Sequence, residues 1–192
     1  SWKKMFSSKK KKMDESAIMG LIGELYFLDN YMFPKYGKTD SLNSWSGQEL
    51  THKDFSLEDI WYEVKSIHSG KETVKISSLE QLQCSNYGEL VIIPMERMSP
   101  AFNGVTLSKL ANKIMKEFDS DEDLDKFISK MSEQGFSFDS ETDEYVYQVV
   151  SIDRYAVNTD FPKIIRIEMP PAIVQAQYDI SITSILPFLI NE

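Results

Sequence analysis

Asp54 and Glu63 are the two residues of this sequence best placed to carry out chemistry together. They lie in two predicted strands, residues 52–57 and 60–67, where β-branched and aromatic residues alternate with polar ones. A hairpin whose turn is centred between residues 58 and 59 places Asp54 directly opposite Glu63. The side chains expected on the other face of this hairpin are Phe55, Tyr62 and Val64.

Two facing carboxylates repel each other and lower stability unless a positive charge lies between them. A divalent cation meets this need, and oxygen ligands favour Mg²⁺, with Mn²⁺ as a possible substitute. Mg²⁺ typically takes only one or two protein carboxylates and leaves its other positions to water and substrate phosphate. Lys65 shares the face of the two carboxylates, as does His52 opposite it, and Lys65 can orient or help deprotonate an attacking water. The pattern therefore indicates phosphodiester hydrolysis.

Two more polar side chains come from helices predicted on either side of these strands. Glu24 lies beside Gly23 and one turn after Gly20, and glycines inside a helix suggest close approach of a strand or of substrate. Glu24 can equally be a glutamate at the edge of a buried stripe. Gln81 can close a capping box that begins at Ser78, or it can orient substrate or water. The sequence leaves both pairs of roles open.

The elements that position these residues are predicted in the order αβββαβ. The first helix ends before Pro34 and a polar loop follows it. The core comprises a helix over 16–33, an antiparallel meander of strands over 52–57, 60–67 and 73–77, a short helix from 78, and a buried strand over 90–93. A helical pair capped by Thr106 and Asp121 and stopped by Gly135 follows, and then strands over 145–157, 163–168 and 173–182.

Composition excludes several classes of protein. With 42% hydrophobic and 12% aromatic residues, the chain can fill one core and is neither collagen-like nor disordered. Cys84 is the single cysteine, so an internal disulfide or a multi-cysteine zinc site is excluded, and we expect Cys84 to be buried as a small apolar residue. No apolar run is long enough for a membrane helix and no export signal opens the chain, so a cytoplasmic location without membrane contact is expected.

The charge is strongly polarised along the chain. Residues 1–12 hold six lysines and no acid, and the remaining 15 bases and 30 acids leave residues 13–192 with a net charge of −15. The lysine run is either a mobile solubilising arm or a contact for nucleic-acid phosphates. The chain begins with Ser rather than Met, which suggests the C-terminal part of a longer protein.

The order of these residues resembles that of the PD-(D/E)XK nuclease superfamily. Glu24, then Lys53-Asp54 where the superfamily has Pro-Asp, then Glu63-Val64-Lys65, and then Gln81 follow its motif. The segments over residues 20–25, 53–55, 63–66, 76–78 and 81–82 are similar to a bacterial subgroup known only as PD-(D/E)XK motif proteins. Genes of this subgroup tend to lie in restriction-like and conflict islands, and its members are usually longer at the N-terminus.

The resemblance implies a restriction-endonuclease-like αβββαβ core with a mixed sheet, plus a helical pair and C-terminal antiparallel strands. It also implies that Asp54, Glu63, the Val64 carbonyl and Glu24 bind metal, that Lys65 serves the water, and that Gln81 orients substrate or water. The implied function is Mg²⁺-dependent cleavage of DNA in a restriction or phage-defence system, as a homodimer or with partner subunits. The alternative is an inactive nuclease fold that acts as an interaction scaffold. We expect a basic segment over 1–15 and one domain over 16–192, with its core over 16–96 and an elaboration over 97–192.

Overall fold

The computed structural model describes residues 12–46, 53–137 and 142–192. His52 and most of the basic segment predicted over residues 1–15 lie outside these ranges.

The first helix, α1 (Glu15–Phe27), begins where Asp14 Oδ1 accepts a hydrogen bond of 2.8 Å from Ala17 N–H. Ile18, Ile22 and Leu25, on its inward face, are fully buried. A π-helical turn, Leu28–Met32, then carries the chain into α2 (Phe33–Tyr36). The prediction that the helix ends before Pro34 is therefore wrong. Pro34 falls in the first turn of α2, where a residue without an N–H is tolerated.

Instead of the expected polar loop, a helix follows α2. Gly37 adopts a φ of 82°, a left-handed conformation that glycine reaches without steric cost, and it redirects the chain into α3 (Lys38–Ser44). The polar composition is misleading here, because Leu42 and the following Trp45 are fully buried and fasten this segment to the core.

The central sheet is mixed. β1 (Phe55–Ser56) pairs antiparallel with β2 (Trp61–His68), and Phe55 lies opposite Tyr62 in the predicted hairpin register. β2 is parallel to β4 (Gly88–Met98), which also pairs antiparallel with β5 (Val146–Val149) and β6 (Asp153–Val157). The α/β class and the mixed sheet are confirmed.

The predicted three-stranded meander is wrong, because its third strand forms but does not pair with the second. β3 (Thr73–Ile76) pairs antiparallel with β7 (Tyr178–Ser181) in a separate two-stranded sheet. Val74 and Ile76 thereby pack into an apolar cluster with Ile180.

The other predicted C-terminal strands are also shorter or absent. The strand expected over 145–157 is divided into β5 and β6, and the one over 173–182 is reduced to β7. Residues 163–168 contain a 3₁₀ turn, Arg166–Glu168, in place of a strand. Ile167 and Val174, near this turn, are exposed. Because these side chains are not packed against the core, the apolar pattern does not produce a strand here.

The helical pair is confirmed. Thr106 caps α4 (Leu107–Met115) through a hydrogen bond of 3.2 Å from Lys109 N–H to its Oγ1. Ser120 rather than Asp121 caps α5 (Asp121–Glu133), because its Oγ accepts from Asp123 N–H. Gly135, with a φ of 87°, follows the end of α5.

Apolar clusters cover both faces of β2. Tyr62 and Val64 pack beneath α1, whereas Trp61 and Ile67 belong to the cluster that includes β3 and β7. Side chains alternate along β2, so Glu63 and Lys65 lie on the face of the strand that carries Trp61 and Ile67. Among the described residues, no helix is long and apolar enough to cross a membrane.

Candidate active site

Asp54 immediately precedes β1, and the hairpin register places it opposite Glu63, as predicted. Its Oδ2 accepts a hydrogen bond of 2.7 Å from Val64 N–H. The N–H and C=O of one strand residue face the same neighbouring strand, so the Val64 carbonyl points to the same edge as Asp54. This edge of β2 thus offers a carboxylate and a backbone carbonyl side by side.

Glu63 is a buried carboxylate whose charge is only partly compensated. It is 3% exposed, and its Oε1 lies 3.5 Å from Lys65 Nζ. Its Oε2 is buried and has no hydrogen-bond partner in the described part of the chain. Burial, and then the charge of Asp54, raise the pKa of Glu63 well above its usual value.

Glu24 reaches the same edge from α1. Its Oε2 accepts hydrogen bonds from Trp45 Nε1 at 2.8 Å and from Gln134 Nε2 at 3.4 Å. Burial, and then the charge of Asp54, raise the pKa of Glu24 well above its usual value. The pKa of Asp54 is also raised, mainly by burial, and a hydrogen bond joins its side chain to Glu24.

Close packing of α1 on β2 brings Glu24 to this position. A Cβ atom on Gly23 would lie 2.0 Å from Ser66 Oγ, so only glycine allows this contact without rearrangement. The prediction of a close strand approach is confirmed at Gly23, whereas a Cβ on Gly20 would meet nothing within 4 Å.

Gln81 holds the lysine of the site. It ends a 3₁₀ turn, Leu79–Gln81, where the sequence predicts a short helix. Its Oε1 accepts hydrogen bonds from Lys65 Nζ at 2.9 Å and from Ser77 N–H at 2.8 Å. Ser78 makes no side-chain cap, so the predicted capping box is not formed. Gln81 nevertheless closes its own turn through Ser77 and contacts Lys65 at the same time.

Lys53, which stands where the motif has proline, also belongs to this site. It is 5% exposed, and its Nζ lies 4.4 Å from the centre of the Trp61 ring. The ammonium donates to the backbone carbonyls of Glu80 and Gln83, the latter at 3.1 Å. Burial lowers the pKa of Lys53. Lys53 therefore fastens the start of β1 to the turn that carries Gln81.

The contacts of Trp45, Gln134 and Lys53 could not be found from local sequence patterns. Trp45 and Gln134 meet Glu24 from 21 and 110 residues away along the chain. The one available signal is a lysine at the proline position of the motif, because a buried lysine requires partners for its charge.

The family model described as "Putative PD-(D/E)XK family member, (DUF4420)" matches residues 1–183. The chain belongs to this PD-(D/E)XK family. The comparisons with curated proteins and with solved structures found no significant match. The superfamily that the motifs resemble is thereby confirmed, and the mixed sheet is consistent with a restriction-endonuclease-like fold.

PD-(D/E)XK nucleases generally use divalent metals, so the donor set of this member matters. Within residues 12–46, 53–137 and 142–192, no three His, Cys, Asp or Glu side chains have the arrangement of a formed metal site. The available donors are nonetheless carboxylate and carbonyl oxygens, which suit Mg²⁺ or Mn²⁺. The unpartnered Glu63 Oε2 is the kind of buried acceptor that a bound cation would satisfy. The residues therefore fit such an ion.

Proposed function

We propose that this PD-(D/E)XK family member is a metal-dependent endonuclease that hydrolyses phosphodiester bonds of DNA. The observation that supports this most is the buried Glu63 Oε2 beside Asp54, which has no hydrogen-bond partner among the residues that the structure describes. Burial and the charge of Asp54 both make the ionised form of Glu63 costly, and a bound cation would offset this cost.

Asp54, Glu63 and the Val64 carbonyl would hold the metal, and Glu24 would join them or hold a second ion. A bound Mg²⁺ or Mn²⁺ polarises the phosphoryl group and lowers the pKa of a bound water. Glu24 is held in place by Trp45 and shares a hydrogen bond with Asp54, so its carboxyl group is fixed beside the residues that would hold the metal.

Lys65 is the residue that would serve the attacking water. Its ammonium is fixed from two sides, by Glu63 Oε1 and by Gln81 Oε1, and its side chain is only 17% exposed. A cation held in this way can orient the water whose oxygen forms the new bond to phosphorus while the bond to the leaving oxygen breaks. Gln81 would set the position of Lys65 and can contact water or phosphate itself.

We further propose that the chain is the cleavage component of a bacterial restriction or phage-defence system. This rests on the subgroup that the motifs resemble. A cut through both strands of a duplex requires two active sites, so a homodimer or a partner subunit is expected. Partners would also supply sequence specificity.

Nicking of supercoiled plasmid DNA by the purified chain tests the enzymatic proposal. We expect nicking with Mg²⁺ or Mn²⁺, none with EDTA, and loss of nicking in Lys65→Ala. Lys75→Ala is the matched control, because Lys75 is an exposed lysine on β3 and should leave activity unchanged. A folded wild-type protein that binds metal or DNA without nicking would favour the scaffold alternative. Equal nicking by wild type and Lys65→Ala would refute the assigned role of Lys65.

A further inference from the structure

A large open groove adjoins the candidate active site on the face of the sheet that carries Glu63 and Lys65. Its volume is about 1030 Å³. Trp61, two residues before Glu63 on β2, lines it, as do Leu82 and Gln83, which directly follow Gln81. We call it the Tyr87 groove, after the aromatic residue most exposed along it. The groove begins where the turn holding Lys65 ends.

The lining of the Tyr87 groove is aromatic and amide-rich. The Tyr87 side chain is 44% exposed, whereas Trp61 is 3% exposed and donates its indole N–H to the Asn86 carbonyl at 3.1 Å. Side-chain amides are contributed by Gln83, Asn86 and Asn158, and each uses one polar atom within the protein. Gln83 Oε1 accepts from Arg166 N–H, Asn86 Nδ2 donates to the Glu58 carbonyl, and Asn158 Oδ1 accepts from Phe161 N–H. The second polar atom of each amide is the one left for a base edge. Asparagine and glutamine amides bond to the edges of nucleobases, and exposed aromatic rings stack on base faces.

The positive charge in the groove is small and partly committed to the protein itself. Lys163 Nζ donates to the Asn158 carbonyl at 2.8 Å, and the Arg166 guanidinium donates to the carbonyls of Pro170 and Ile173. Glu168 offsets one of these two charges. A duplex is held largely through its phosphates, whereas an unpaired strand can also be held through its base faces, so a groove with little free positive charge favours the unpaired strand.

We propose that the Tyr87 groove binds an unpaired stretch of the substrate strand beside the bond to be cleaved. Its volume lies at the upper end of small-ligand sites, which leaves room for a short stretch of nucleotides. Unpaired bases can stack on Tyr87 and meet the amides, contacts that a paired and stacked duplex does not offer. The identity of the ligand as nucleic acid rests on the proposed function. The substrate is then DNA with a single-stranded or locally opened region.

Binding without cleavage tests the groove separately from catalysis. The full chain in EDTA is titrated into a short fluorescein-labelled oligothymidylate at physiological salt, and anisotropy is followed, with a duplex of equal length in parallel. We expect the single strand to bind more tightly than the duplex. Tyr87→Ala should weaken single-strand binding at least fivefold, since aromatic stacking contributes at this level. Tyr87→Phe, which keeps the ring, should bind like wild type.

Phe102→Ala is the matched control for loss of an exposed ring. Phe102 is 38% exposed and follows the far end of β4 from Tyr87, so its loss should not change binding. A second measurement uses Cys84, which lines the groove and is the only cysteine of the chain. A bulky maleimide on Cys84 should block single-strand binding, and the same reagent should have no effect on Cys84→Ser.

Two results would overturn the groove assignment: binding of the single strand no tighter than the duplex, or unchanged binding in Tyr87→Ala and in the maleimide-labelled protein. Neither depends on nicking. A wild-type protein that binds single strands through Tyr87 but does not nick DNA would refute the enzymatic proposal and support the groove.

Discussion

Asp54→Asn should make the metal-free protein more stable, although it removes a residue of the candidate site. The asparagine oxygen can still accept the hydrogen bond from Val64 N–H, so the hairpin keeps its tether. Its amide group replaces a carboxylate oxygen whose charge raises the pKa of both Glu24 and Glu63. The variant therefore relieves repulsion without opening a cavity.

The size of this effect follows from the two neighbouring glutamates. Loss of the Asp54 charge relieves two like-charge contacts, and at about 0.2–1 kcal/mol for each such contact the free energy of unfolding should rise by about 0.5–2 kcal/mol. For a chain of this length, about 1 kcal/mol corresponds to about 2–4 °C. We therefore expect the melting temperature in EDTA to rise by about 1–8 °C.

With metal bound, wild type should become more stable than Asp54→Asn. At a Mg²⁺ concentration of about 100 times its dissociation constant, wild type gains about 2.7 kcal/mol, and Asp54→Asn should lose most of this gain. Thermal unfolding in EDTA and across a Mg²⁺ or Mn²⁺ series measures both effects. The matched control is Asp125→Asn, an exposed aspartate beyond the first turn of α5, which should match wild type throughout.

The reasoning is refuted if Asp54→Asn is clearly less stable than wild type in EDTA, because Asp54 would then stabilise the fold itself. An undiminished response of the variant to metal would remove Asp54 from the metal site.

Three more predictions concern the neighbours of Asp54. Gln81→Glu should fold as stably as wild type, because a carboxylate can accept the same bonds from Lys65 and Ser77, yet lose plasmid nicking by about 100-fold through repulsion of the substrate phosphate. Full activity in a stable Gln81→Glu protein would remove Gln81 from the site. Lys53→Met should lower the free energy of unfolding in urea by about 1–3 kcal/mol, because carbonyls bonded to the ammonium lose their donor, and Lys53→Arg should lose less. A Met variant as stable as wild type would contradict this role. The raised pKa values of Glu24, Asp54 and Glu63 mean that the folded metal-free protein binds more protons than the unfolded chain, so its stability should fall as pH rises from about 4 through the raised values. Unfolding in EDTA as a function of pH should show a shallower fall for Asp54→Asn, and identical profiles would count against the cluster.

The β1–β2 hairpin could be predicted because its information is local. Alternation of side chains and the turn between residues 58 and 59 fix the register, and a slip by one residue would turn Phe55 and Tyr62 away from the core. Helix caps such as Thr106 are equally local.

The partner of β3 could not be predicted in the same way. Val74 and Ile76 give β3 the alternation of any half-buried strand, and nothing nearby distinguishes β2 from β7 as its neighbour. The burial of Cys84 could not be predicted either. Its residue type predicts a small buried apolar side chain, whereas Cys84 is exposed. Its exposure depends on the groove beside it, which is built from segments distant in sequence.

Helix rules failed at Pro34 for a different reason. A π-helical turn before the proline lets the helix continue into α2, and Met32 and Phe33 are buried there. Burial of these side chains outweighs the local preference to stop.

The pairing of β3 with β7 also determines when the site can form during synthesis. β3 leads directly into Ser77, whose N–H closes the turn of Gln81, and β7 leaves the ribosome about a hundred residues later. Contacts of such long range form late, after the local hairpin and α1. The carboxylates of β1 and β2 can therefore assemble on the nascent chain before β7 is available to brace the segment that fixes Lys65. A growing chain would carry an immature site, and the contacts that fix Lys65 would be complete only once β7 has docked.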